Sequence, residues 1–410
     1  MAGGSGASSG IFSFAPESST AAIPLRKILL ILVLLPVLAG LGWWYFHQRT
    51  ISSFDPTYRE YAYITNGKSD TVSVIDLRTF RLMKTAKVGR EPTGIAANPR
   101  KNEIYVVNTG AANVTVIDAE SNQVAATIGV HGAPYFIDVS ADGTRAYVAN
   151  SGSANVSIID LASRKVISTV RVGNAPGLAR LSPDGTTVVV SNRGDDSVSL
   201  IDTQRLAVRV TIPICHQPTD IAILPDSGKA FVACSGSAQV ASIDLKNGKL
   251  IALLDVGKTP GNLALKPDGG ELVVCNFDSD SISIIETTTD EVSGSYGIGT
   301  HPSRAVVSAD NSRVYVSNFG SNSVAVYDID MGRISAMLPV GSQPDGLALS
   351  PSQNYLLVLN SQSGDVTVIQ KRQPRKLEPG EYGLLTMIPA GVQPNNVVVK
   401  AFQLAPAEKK

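Results

Sequence analysis

Seven prolines, Pro92, Pro134, Pro176, Pro218, Pro260, Pro302 and Pro344, follow one another at a constant step of 42 residues. Asn66, Asn108, Asn150, Asn192, Asn276, Asn318 and Asn360 keep the same step, with Cys234 in the one vacant slot. A strict period of this length marks a chain built from one supersecondary unit that buries its apolar face only against its neighbours. Each unit holds four short apolar runs with alternating or β-branched character, for example YFIDVS, RAYVAN, NVSIID and KVISTVRVG. Turn signals such as Ala141-Asp142-Gly143 separate them. Four strands per unit is the pattern of a propeller blade.

The tally of strands predicts how the ring closes. Second strands of the YVAN type number eight, beginning with YAYITN at 61–66, and first strands also number eight, the last being NNVVVKAF at 395–402. The first blade lacks a first strand of its own, so the C-terminal one must supply it, pairing the two ends of the repeat region. The expected fold is therefore all-β, an eight-bladed β-propeller of four-stranded blades over 58–402 with a shared strand closing the ring. The segments YVVN, YVAN and YVSN, each followed by N-V-[ST]-[VI]-I-D-like runs and then by V-G-x-x-P, resemble the YVTN β-propeller repeats. That resemblance covers roughly residues 58–400 and implies fold more than activity, since such propellers occur in bacterial and archaeal surface and envelope proteins of varied role. Members often look seven-bladed, which makes seven blades the runner-up count.

With 35 basic and 35 acidic residues the net charge is zero, and no dense Lys/Arg stripe appears that would neutralise a phosphate backbone. Nucleic acid is not an expected partner. Residues 1–26 are small and polar and read as a disordered cytoplasmic tail. Residues 27–47 read as a transmembrane helix: Ile28 to Phe46 carries no charge over 19 residues, roughly 28 Å of helix, close to a bilayer core. Trp43, Trp44 and Tyr45 would sit at the interface, and Arg26 with Lys27 before the span place the tail inside. The rival is a cleaved signal peptide at Val37-Leu38-Ala39. Residues 48–57 form the linker and 403–410 a C-terminal tail. The expected location is a bacterial inner membrane, single-pass, with the propeller in the periplasm or outside the cell. The bilayer is a partner through residues 28–46, and a further protein or membrane complex is the expected second one.

Whatever recurs in every unit is explained by the fold, so function is sought where one copy departs from the rest. The recurring Asn is expected to cap a turn with left-handed backbone, and the Asp of V-S-V-I-D to lead into the next hairpin. Haem-attachment, zinc-protease, Walker and calcium-loop patterns are missing, and the lone G-x-S-x-G at Gly6 to Gly10 lies in the tail. No resident cofactor or metal is expected. Cys215, Cys234 and Cys275 are odd in number and read as buried small hydrophobes.

His131, His216 and His301 each fall within three residues before a repeat proline, in loops entering alternate blades on one face. They could flank a ligand or partner. The second position after each proline departs most, with Phe136 beside Tyr135, then Asp220, Asn262, Arg304 and Asn396 at the mouth of the ring. Deeper in, Asp138 and Arg180 occupy neighbouring blades where the other copies are mostly Ala or Val, and are expected to pair, because a lone charge there is costly. The 42-residue step breaks once, where the last blade gains a loop bearing Lys371, Arg372, Arg375 and Lys376 on the opposite face, the side from which the linker arrives. That loop is expected to meet lipid headgroups or a membrane subunit.

Three function classes follow. The leading one is a membrane-anchored, extracytoplasmic binding module or accessory subunit of an envelope or membrane complex. The second is a lactonase-like hydrolase, for which His301, Arg304 and Asp220 are available but no convincing glutamate. The third is a tetrapyrrole or other cofactor-binding propeller, similar in blade count to the haem d1 propellers, with the loop histidines as ligands.

Overall fold

A computed structural model of the chain describes residues 55, 57–372 and 381–404. The tail and membrane span read from the sequence, the centre of the basic loop with Arg375 and Lys376, and the last six residues lie outside these. Among the described residues no helix is long and apolar enough to cross a membrane.

The described residues form eight four-stranded antiparallel sheets. Seven run continuously through 92–129, 134–171, 176–213, 218–255, 260–297, 302–339 and 344–389, and are called blades 2 to 8. Blade 1 is composite. Its three outer strands are Tyr58–Asn66, Thr71–Asp76 and Arg81–Lys87, and its innermost strand is Pro394–Gln403 from the other end of the repeat region. The register runs from Tyr58 opposite Gln403 to Thr65 opposite Asn396, so the ring closes through a main-chain ladder. Eight blades, not seven, are present.

In every blade the strand after each repeat proline is innermost, and the prolines share what is here called the upper face. The two middle strands are buried on both sides, as in blade 3, where RAYVAN and NVSIID are almost wholly buried. This gives near-continuous runs of Val, Ile and Ala, because adjacent blades pack face to face and leave no solvated side. Tyr105, Val107 and Val114 of blade 2, for instance, share one cluster with Ile137, Ala146 and Val148 of blade 3. The outermost strands alternate toward solvent.

The signatures V-G-x-x-P and YVxN are two halves of one contact between blades. A Cβ added to Gly89 would meet Asn108 of the following blade at 2.7 Å, and one on Gly257 would meet Asn276 at 2.6 Å. Gly391 stands in the same relation to Asn66 across the ring closure, where its N–H also donates to Asn66 Oδ1 at 3.0 Å. The asparagine itself is buried and donates from Nδ2 to a Ser or Thr seven residues on, as in Asn108 to Thr115 at 2.8 Å and Asn150 to Ser157 at 2.8 Å. The expectation of a left-handed asparagine is corrected. Asn108 is extended at φ −110°, and the left-handed residue is Ala112, four places on, at φ 48°. Burial of the side chain leaves the turn to be made by the exposed residues that follow.

The reading of all three cysteines as buried small hydrophobes is also corrected. It holds for Cys275, which is buried and free. Cys215 and Cys234 instead form a disulfide with Cα atoms 5.7 Å apart. Cys215 occupies the glycine column and Cys234 the asparagine column of the inter-blade contact, 19 residues apart, the spacing of Gly89 to Asn108. At this one seam a covalent bond between blades 4 and 5 replaces the glycine–asparagine contact.

Candidate functional site: the upper face and the channel mouth

The row two residues after each proline lines the mouth, and here Asp220 and Asn262, with Asp138 two positions deeper, serve the ring. An innermost strand presents an edge whose main-chain N–H groups lack a neighbour on one side. Asp138 Oδ2 accepts from the N–H of Leu181 in the next blade at 2.9 Å. Asp220 Oδ2 accepts from Leu263 N–H at 3.0 Å and from Asn262 Nδ2 at 2.8 Å, and Asn262 Oδ1 accepts from Ala305 N–H at 2.8 Å. Short polar side chains thus sew blades 3 to 4, 5 to 6 and 6 to 7. Asn396 turns on itself, accepting from Val397 N–H at 3.0 Å. At the lower end of the same wall the buried Lys400 Nζ donates to Asn98 O at 2.6 Å, and burial pulls its pKa down.

The expected ion pair between Asp138 and Arg180 is not direct. Two backbone N–H groups, those of Leu181 and Val139, already hold the Asp138 carboxylate. Burial pushes its pKa above the usual carboxylate range, opposed by the nearby Arg180 charge and those two N–H groups. The longer Arg180 lies with its guanidinium over the Phe136 ring at 4.7 Å and reaches Asp220 of the next blade at 3.8 Å. Phe136, Arg180 and Asp220 are therefore brought together across blades 3, 4 and 5. Tyr135, next to Phe136, is 49% exposed on the upper face.

The three histidines do not converge. His131, in the loop between blades 2 and 3, is exposed and meets Thr169 of blade 3 through Nε2 at 3.1 Å. His216 meets the Asp196 carboxylate through Nδ1 at 2.7 Å. His301 lies flat on Phe277, with ring centroids 4.5 Å apart and planes 6° from parallel, and Phe277 in turn meets Phe319 at 6.1 Å. His301 has φ 50°, but so does its counterpart before every repeat proline, among them Glu91, Ala133 and Gln217, so this backbone belongs to the architecture. Arg304 makes no ion pair among the described residues. Its charge acts against the burial that pushes the Cys275 thiol up to about 12.

Phe277 and Phe319 escaped the sequence reading. They hold the position directly after the strand-closing asparagine, which the other blades fill with Gly67, Thr109, Ser151, Arg193, Ser235 and Ser361. Reading that column would have found them. Half-buried together with His301, they form an aromatic cluster across blades 6 and 7. Elsewhere on the upper face, between blades 1 and 2, a cleft of about 370 Å³ is lined by Lys68, Asp70, Arg90 and Glu91 over Gly67 and Gly110. On the lower face Lys371 reaches Glu381 at 4.0 Å, and Arg372 N–H donates to Glu381 O at 2.6 Å, so the stem of the basic loop is tied at its base. Among the described residues no three His, Cys, Asp or Glu side chains come together as a metal-ligand group.

Comparison with known proteins agrees with this architecture. Residues 51–182 match a YNCE-like β-propeller family and residues 286–382 match the family of seven-bladed β-propeller lactonases. No curated protein sequence matches the chain. Among solved structures, the dihydro-haem d1 dehydrogenase NirN in complex with DHE aligns with TM-score 0.68 at 15% identity, over 82% of this chain and 74% of NirN. Hydrazine synthase of Kuenenia stuttgartiensis aligns with TM-score 0.56 at 23% identity, over 68% of this chain and 95% of that one. A functionally unknown protein from Desulfotomaculum acetoxidans aligns with TM-score 0.55 at 16% identity, over 83% and 98% of the two chains. At these identities the likeness is one of fold. Repeat, ring and family matches together identify the chain as a β-propeller repeat protein.

Proposed function

We propose that this protein is a membrane-anchored, extracytoplasmic propeller acting as a binding module or accessory subunit of an envelope complex, with the upper face as its recognition surface. The observation that carries the reading is the aromatic cluster of Phe277, His301 and Phe319. In a ring of near-copies, it is built at a column where every other blade holds glycine, a hydroxyl residue or arginine. Aromatic side chains that stay partly exposed over a rigid scaffold offer large contact area at small entropic cost. The disulfide between Cys215 and Cys234 supports an oxidising compartment, and the uncharged stretch 28–46 supports the anchor.

A second reading, a hydrolase similar to lactonase propellers, is favoured by the family match over 286–382, a segment that contains His301, Arg304 and Phe319. The cofactor reading draws only on fold likeness to a propeller solved with a bound ligand. Purification of the full-length protein in mild detergent separates the three. The binding reading expects a companion protein in fixed ratio and a visible spectrum without bands. A Soret-like band would replace it with the cofactor reading, and ester turnover that is lost on His301→Ala would replace it with the hydrolase reading.

A further inference from the structure

The chain has five methionines. Apart from Met1, all lie on the outermost strands of blades 7, 8 and 1 or in the turn leading into one: Met331 and Met337, Met387, and Met83. These blades are consecutive round the ring, and the four side chains are 44% to 62% exposed. Leu384 and Leu385 widen the patch. The same three strands, RISAMLP, YGLLTMIP and RLMKTAK, carry Arg333, Arg81, Lys84 and Lys87 and no acidic residue. The outermost strands of blades 5 and 6, by contrast, include Asp255 and Glu291.

Exposed apolar side chains on the outermost strands of three consecutive blades lie at sheet edges, where they invite association. Flexible apolar side chains mixed with four cations, against the single exposed carboxylate of Asp330 beside Met331, match an anionic lipid surface: the apolar tips enter the headgroup boundary while the cations meet phosphates. The described ring begins at Thr57, just before the second strand of blade 1, which is one of the three blades concerned. This inference rests on the anchored reading. On that reading the tether between Phe46 and Thr57, at most about 3.5 Å per residue, keeps blade 1 near the bilayer. We propose that the rim of blades 7, 8 and 1 docks on an anionic lipid surface.

Amide hydrogen exchange on the full-length protein in nanodiscs tests it, comparing phosphatidylglycerol-containing discs, purely zwitterionic discs and detergent. Exchange over 81–87, 333–339 and 382–389 is expected to slow about tenfold in the anionic discs alone. The outermost strand of blade 5, 249–255, serves as the control that stays unchanged. Replacing the four exposed methionines by serine should abolish the protection and leave the melting temperature intact, since these side chains are not core. Equal exchange in all three settings overturns the proposal. So does protection that follows protein concentration rather than lipid charge, which would make the rim a self-association surface. Alkaline washing of native membranes reads the anchor separately. A chain that stays in the washed membrane with an unprotected rim overturns the docking alone, whereas release from the membrane overturns the anchored reading and this inference with it.

Discussion

The glycine and asparagine columns show how single residues hold this ring. Where glycine holds its column, each pair lets two blades approach more closely than a Cβ would allow; His131 takes that place opposite Asn150, and the disulfide takes it at the seam between blades 4 and 5. Replacing both cysteines by serine should lower stability by about 2–4 kcal/mol, the usual contribution of a disulfide. Cys215→Gly combined with Cys234→Asn should recover much of that loss in a denaturant melt, because it rebuilds the contact used at Gly89 and Asn108. Half of this feature was legible in the sequence. Cys234 stands visibly in the asparagine column, but reading all three cysteines as buried small hydrophobes leaves out that Cys215 holds the glycine column opposite it. Titration offers a second check. Hydrogen bonds from Ser308 and Ser312 lower the Asp310 carboxyl from 3.8 to about 2, and Asp142 is lowered by Ser140 and Thr144 in the equivalent turn of blade 3. A folded-state pKa below the unfolded one means that the unfolded chain takes up protons more readily. The contribution is then complete above about pH 4 and is lost as pH falls toward 2. Asp310→Asn should flatten that limb of the stability-versus-pH curve and leave the neutral region unchanged in slope, as read by thermal melts across the acid range.

At the scale of the element, the strand is the unit that periodicity makes legible. The four runs per 42 residues became four strands per blade, and the composite first blade followed from counting, because a ring with one unpaired edge cannot be stable. Removing residues 394–410 deletes the innermost strand of blade 1 together with its ladder to Tyr58–Asn66. The truncated chain should lose its single cooperative transition or aggregate, and calorimetry alongside light scattering would record either. An unchanged melt would contradict closure through a shared strand. What periodicity could not supply was the use made of side chains at the innermost edge. Asp220 and Asn262 stood out as departures and suggested a binding mouth, and Asp138 suggested an ion pair with Arg180, yet the bonds from Leu181, Leu263 and Ala305 show that a departure can also be a local solution to an unpaired main-chain edge. Sequence spacing places a residue in a row, but it does not reveal whether a neighbouring N–H lies within reach.

At the scale of the whole molecule, eight similar blades close one ring among the described residues, and chemistry is confined to the few columns where copies differ. The histidines satisfied that rule in the sequence and still do not meet. They sit three, two and one residues before their prolines, and so aim at different neighbours. The cluster that does form needed Phe277 and Phe319, whose column has no unusual chemistry in any other blade. The central claim is that this cluster is the recognition surface of an anchored binding module. It is tested most directly by purifying the full-length protein from native membranes beside a variant carrying Phe277→Ala, His301→Ala and Phe319→Ala. Mass spectrometry measures the stoichiometry of the companion, and a melt is run on each preparation. The account predicts a companion in fixed ratio with the natural protein, lost from a variant whose melting is nearly unchanged. A companion retained by the folded variant, or a natural protein that carries none, would contradict it.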